Sequence, residues 1–184
     1  MEFLIIGIVL FFGIHLIPIF ELKQKLIDRF GKKPYMAIFA LVSALGLGLM
    51  IYGKATSEFI TIWQPIAGAH WVPVILMWPA IIISIWAEIP CSMKITLRHP
   101  MLIGILIFTS THLIANGDLA TVLLFGSFTC YSIFTMFRQG FKKSASKIPN
   151  STPGWNLFGV ILGTVIYGLV FTFHQQFTGM VIPV

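Results

Sequence analysis

Arg98-His99-Pro100-Met101-Leu102-Ile103-Gly104-Ile105-Leu106-Ile107-Phe108-Thr109-Ser110-Thr111-His112-Leu113-Ile114-Ala115-Asn116-Gly117-Asp118 is an apolar stretch with polar residues at both ends and a histidine inside it. From Pro100 to Ala115 it makes about 24 Å of helix, close to what a bilayer core requires. An ionisable ring in hydrocarbon is costly unless something uses it, so His112 is a candidate functional residue. Thr109, His112 and Asn116 fall at i, i+3 and i+7. They share a helix face that would line a cavity or hold the second nitrogen of the imidazole.

Outward from this stretch the chain keeps the same character. It is 57% hydrophobic and 10% charged over 184 residues, with a mean hydropathy of +0.92, far from the balance of a soluble domain. Apolar runs fall at about 3–20, 35–53, 65–89, 101–115, 119–137 and 155–173. Barrel strands alternate polar and apolar residues, whereas these runs are apolar on every face. The fold class is therefore an all-α integral membrane protein with six transmembrane helices. Spans and short loops use residues 1–184, which predicts a single domain. The first run starts Met1-Glu2-Phe3, with no basic leader and no small-residue cleavage site, and is expected to be a mature helix.

Charge sets the orientation. Lys23, Lys25, Arg29, Lys32 and Lys33 lie between spans one and two, Lys94 and Arg98 before span four, and Arg138, Lys142, Lys143 and Lys147 between spans five and six. Only Lys54 sits in an even-numbered loop. The positive-inside rule then places the basic loops in the cytoplasm and both termini outside, on the periplasmic side. The isoelectric point near 9.6 reports this topology. Nucleic acid is excluded as a partner, since the loops are too short to build a folded basic surface with interleaved aromatics. Trp63, Trp71, Trp86 and Trp155 fall near span ends, where indoles sit among headgroups. Cys91 and Cys130 have no neighbours at metal-ligand spacing and face a reducing compartment, so neither a disulfide nor a metal site is expected of them.

In span one, Ile8, Phe11, Phe12, His15 and Ile19 lie along one side, with Gly7 two turns before His15. Either a flat ligand or a neighbouring helix would fill the space beside Gly7. Ser43, Gly46, Gly48 and Gly53 in span two, and Gly154, Gly159, Gly163 and Gly168 at span six, predict close packing. Pro65, Pro73 and Pro79 are expected to bend or break span three. His70 should lie at its outer end, and Glu88 at its inner end is expected to pair with Lys94 or Arg98. Asp118 needs a partner, for which Lys54 and His174 are the candidates on its side.

Arg98-His99-Pro100 with Gly104, followed by His112 and Asn116-Gly117-Asp118, resembles the NnrU family of bacterial membrane proteins. Phe12-Gly13-Ile14-His15-Leu16-Ile17-Pro18, Arg29-Phe30-Gly31 and a span beginning at Tyr35 extend the resemblance over most of the chain. It implies a multi-pass protein of the bacterial inner membrane, associated with denitrification and nitric oxide-related respiration and with a possible respiratory enzyme as partner. The same pattern is similar to the membrane core of the 15-cis-zeta-carotene isomerases, plastid enzymes that carry haem b. That similarity implies haem b held by His15 and His112 and a lipophilic small molecule as substrate; with haem there, cationic Arg98 and Lys23 are the candidates to meet its propionates, and Thr109 and Asn116, on the face of His112, the candidates to line its cavity. In the isomerases a cysteine stands three residues before the second histidine, where this chain has Thr109. The departure removes ligand exchange from what the resemblance implies and leaves two-histidine ligation.

Helical rise alone puts His15 about 18 Å in from the outer surface and His112 about 6 Å from its span end. On topology His112 groups with His70 and His174, and His70 is the substitute ligand. Two other classes stay open. One is a non-catalytic membrane assembly factor without a cofactor. The other is an S-adenosylmethionine-dependent methyltransferase, since the isoprenylcysteine carboxyl methyltransferases share the Arg-His-Pro pattern. In that reading His99 helps enclose the cofactor and Lys147-Ile148-Pro149 echoes a later motif, although residues 138–150 contain no acidic side chain. A transporter would show broken spans and an inverted repeat, and no repeat is visible.

Overall fold

Residues 1–140 and 152–178, those described by the computed structural model, form eight helices. In chain order they are α1 (Glu2–Ile19), α2 (Leu22–Phe30), α3 (Lys32–Ala55), α4 (Trp71–Glu88), α5 (Met93–Leu97), α6 (Pro100–Ala115), α7 (Leu119–Gln139) and α8 (Pro153–Thr178). Lys142, Lys143 and Lys147, and with them Lys147-Ile148-Pro149, lie outside the described residues. Five helices are long and apolar enough to cross a membrane, and α6 at 16 residues is a shorter sixth. Among the described residues there is no strand, only an isolated bridge between Thr61 and Asp118.

The six apolar runs are all helices, the largest boundary difference being at the start of the third, and α8 runs on to Thr178. The third begins at Trp71 rather than near 65, because Pro65 and Gly68, the latter at φ 83°, turn the chain first. Pro73 is accommodated in the opening turn of α4, where amides have no intrahelical partner to lose, and Pro79 lies inside the helix. The short helices α2 and α5 sit in the basic connections and are invisible to hydropathy.

Two compact units divide the chain. The first comprises Met1–Trp63 and Gly117–Ser127. Here α1 packs antiparallel on α3 through glycines: a Cβ on Gly53 would lie 2.2 Å from the Leu4 nitrogen, and one on Gly7 would lie 2.6 Å from the Met50 nitrogen. A Cβ on Gly46 would lie 2.8 Å from the Phe11 nitrogen, whereas one on Gly48 meets open space. The space beside Gly7 is thus filled by α3, the close approach that small residues permit in membranes.

The second unit comprises Gln64–Asn116 and Phe128–Val184. In it α4 packs on α6 and α8. Gly104 of α6 is set against Ser84 and Ala80 of α4, while Gly159 and Gly163 of α8 meet Trp86 and Ile82. Gly168 meets nothing, so the glycine stripe of the last helix is only partly an interface. Asn156 ties α8 to the start of α5: its Oδ1 accepts from the Ser92 backbone N–H at 3.1 Å and its Nδ2 donates to Ser92 Oγ at 2.7 Å.

Candidate functional site

His112 lies in the last turn of α6, and its Nδ1 is 2.7 Å from the Phe108 carbonyl one turn earlier. A carbonyl only accepts, so Nδ1 carries the proton, and in the neutral ring Nε2 is the basic nitrogen. The Phe108 ring lies against the imidazole, with centroids 4.5 Å apart.

His15 repeats this arrangement in the first unit. Its Nδ1 is 2.7 Å from the Phe11 carbonyl, and its ring stacks on Phe11 at 4.1 Å with 23° between planes. The Phe39 ring of α3 lies 5.0 Å from the imidazole, and the Tyr35 ring lies 6.1 Å from that of Phe39. The Tyr35 hydroxyl is buried with no hydrogen-bond partner among the described residues. A phenol so placed in a low-dielectric cluster suits a polar group of something bound there. Both histidines therefore follow a phenylalanine by four residues, each using that residue's carbonyl and ring.

Thr109 and Asn116 share the face of His112, yet their own bonds run elsewhere. Thr109 is 1% exposed. Its Oγ1 donates to the Ile105 carbonyl at 2.9 Å and accepts from Thr129 Oγ1 of α7 at 2.8 Å. Asn116 closes α6, its backbone N–H and its Nδ2 both donating to the His112 carbonyl at 2.9 Å. The imidazole is thus oriented by Phe108, not by its polar neighbours. No sequence signal beyond the four-residue spacing foretold this.

The Arg98-His99-Pro100 lead-in is a strained corner. Arg98 has φ 51° and ψ −49°, and the His99 N–H donates to the Leu97 carbonyl at 2.5 Å. This is the positive-φ γ-turn, which side chains rarely adopt. Arg98 Nη2 holds it by donating to the Gln139 carbonyl at 2.8 Å, and His99 Nε2 lies 3.0 Å from the Gly140 carbonyl. The corner fastens the start of α6 to the end of α7. Glu88 makes no ion pair with Lys94 or Arg98; among the described residues the one ion pair is Lys54–Asp118.

That pair resolves the partner of Asp118 in favour of Lys54. Lys54 Nζ donates to Asp118 Oδ1 at 2.7 Å. The same oxygen accepts the Thr121 backbone N–H at 3.0 Å, and Oδ2 accepts the Thr121 hydroxyl at 2.5 Å. Asp118 is 2% exposed. Burial pushes its carboxyl up, but the Lys54 and Thr121 hydrogen bonds outweigh this and hold it below the ordinary carboxylate range. Beside it the Gly117 carbonyl accepts from the Ile62 and Trp63 N–H groups, and Leu119 N–H donates to Ile60. The polar turn is thereby sealed within the first unit.

His70 stands at the start of α4 with its ring 5.3 Å from Trp71. No group of three or more His, Cys, Asp or Glu side chains among the described residues is arranged to hold a metal ion. A haem needs only two axial donors. Lys23 is exposed on α2.

Comparison with known families finds that the sequence model of the NnrU protein family matches residues 3–182. No curated protein and no solved structure matches the chain.

Proposed function

The chain belongs to the NnrU family, and from that premise we propose that it is a multi-pass protein of the bacterial inner membrane that binds haem b through His15 and His112. In this reading residues 1–184 act as one transmembrane domain with both termini outside. The observation that carries it is the repeated phenylalanine–histidine arrangement. Each imidazole is held at Nδ1 by a backbone carbonyl, the orientation that second-shell bonds impose on metal-binding histidines, with Nε2 as the ligating atom. The buried Tyr35 hydroxyl near His15 fits as a donor to the cofactor's polar edge. Arg98 and Lys23 would meet the propionates, while Thr109 and Asn116 support the helix beside His112.

Haem held by these residues would supply one-electron chemistry and a place for a small ligand such as nitric oxide. This chain's residues orient the rings and keep water away. Two uses accord with that: a part in nitric oxide-related respiration alongside a respiratory enzyme, or isomerisation of a lipophilic substrate. The competing reading is an assembly factor without a cofactor. It is favoured by the packing of each histidine ring on its own helix, which stabilises without any ligand.

Absorption spectra of the detergent-purified protein, oxidised and reduced, test the proposal beside His15→Ala, His112→Ala, His70→Ala and His174→Ala. We expect a Soret band and sharp reduced-state bands that His15→Ala and His112→Ala each abolish. Loss in His70→Ala or His174→Ala instead of His15→Ala would reassign the second ligand. A colourless, folded protein from haem-replete cells would leave the assembly factor, and calorimetry with S-adenosylmethionine would test the methyltransferase alternative.

A further inference from the structure

Helix α2 carries more than the charge needed to orient the first loop. Orientation depends on how many cations a loop holds, and an irregular connection would serve as well. Here residues 22–30 fold into a separate helix with a left-handed joint at each end, Glu21 at φ 62° and Gly31 at φ 88°. Those joints prevent it from continuing either α1 or α3. Because α1 and α3 are antiparallel partners, the nine residues of α2, about 14 Å long, lie at the end of that helical hairpin. Leu26 and Ile27 are half-buried against it.

The remainder of α2 and its joints faces outward. Leu22 is 44% and Phe30 55% exposed. Lys23, Lys25, Arg29, Lys32 and Lys33 are all exposed, against Glu21 and Asp28 as the only acids between residues 21 and 33. Asp28 is bonded to Gln24 Nε2 at 2.8 Å, and none of the five cations has an ion pair among the described residues. Arg29 lies over the Phe30 ring, 5.3 Å from its centroid, so charge and apolar surface adjoin. Exposed apolar side chains beside unneutralised cations, at the end of membrane-spanning helices, match the boundary between acyl chains and phosphates.

We propose that α2 is an interfacial helix that selects acidic phospholipids, with Leu22 and Phe30 among the upper acyl chains and Lys23, Lys25, Arg29, Lys32 and Lys33 against the headgroup phosphates. The inference does not depend on haem. Its test uses the full chain reconstituted in phosphatidylcholine vesicles containing a minor share of phosphatidylglycerol. The fraction of each spin-labelled lipid that is motionally restricted by the protein is read by electron paramagnetic resonance.

Since a basic residue near an acidic surface favours association about fivefold, wild type should enrich phosphatidylglycerol over phosphatidylcholine roughly fivefold or more. The enrichment should fall to near parity in the Lys23→Gln/Lys25→Gln/Arg29→Gln variant and persist in Lys94→Gln. In wild type it should also collapse in high salt, where the screening length shrinks to about 3 Å. Equal restriction of both lipids by wild type overturns the proposal, as does enrichment that survives the triple substitution. Should the triple variant fail to fold, the wild-type salt titration decides alone, and enrichment that persists in high salt overturns it.

Discussion

Asp118 does two things with one carboxylate: it caps α7 through Thr121 and pairs with Lys54. Its carboxyl is held below the ordinary value, so its stabilisation is complete above the unfolded value near about 3.9 and is lost as pH falls through the lower folded value. Asp118→Asn should lower stability by about 2 kcal/mol, and should flatten the acid limb of the stability profile measured by thermal unfolding in detergent between neutral pH and about pH 3. Next to it, a Cβ on Gly117 would lie 1.9 Å from the Trp63 carbonyl oxygen. Gly117→Ala should therefore cost about 3 kcal/mol, the upper end for overpacking, in the same assay. At this scale the sequence marks Asp118 as needing a partner and names two candidates, but both lie on the same predicted side. Only the folded chain separates them.

The helices obey a simpler rule. Their existence follows from hydropathy, and their contacts follow from where small residues let backbones meet. The distinction among glycines is testable within one helix. Gly53→Ala places a methyl against the Leu4 backbone and should cost about 1–3 kcal/mol, while Gly48→Ala points into open space and should stay within about 0.5 kcal/mol. Denaturant titration in mixed micelles would measure both, and equal losses would contradict the packing of α1 on α3. Apolar composition alone carries the third run back through Ile66 to Pro65, whereas Pro65 and the left-handed Gly68 keep regular structure from starting before Trp71. The connecting helices α2 and α5 escape hydropathy for a different reason: at nine and five residues each is too short to fill a span-length window.

For the whole molecule the main consequence is its placement in the bilayer. Large apolar side chains such as Leu41, Ile75 and Phe137 are 65% or more exposed, which water would penalise and lipid does not. With Cys91 and Cys130 replaced by serine, a membrane-impermeant maleimide should label Glu58→Cys in intact cells and Lys25→Cys only after permeabilisation. The reverse pattern would invert the proposed orientation. The strained corner at Arg98 and the histidines at positions 15 and 112 are where this fold departs from simple membrane packing.

Local sums were enough to mark the six apolar runs, their helical nature, the excess of cations in alternate loops and the oddity of an imidazole in an apolar run. Each depends on the composition of a window about twenty residues long, and the bilayer makes that composition decisive. Tertiary structure alone decided that Lys54 answers Asp118 from 64 residues away, that Trp63 closes over Gly117, and that Thr109 turns to Thr129. It also decided that the His112 ring is held by Phe108 rather than by the polar residues sharing its face. A hydrogen bond depends on tenths of an ångström and on which competing partner arrives first. Neither quantity is carried by the identity of one residue until the helices have packed.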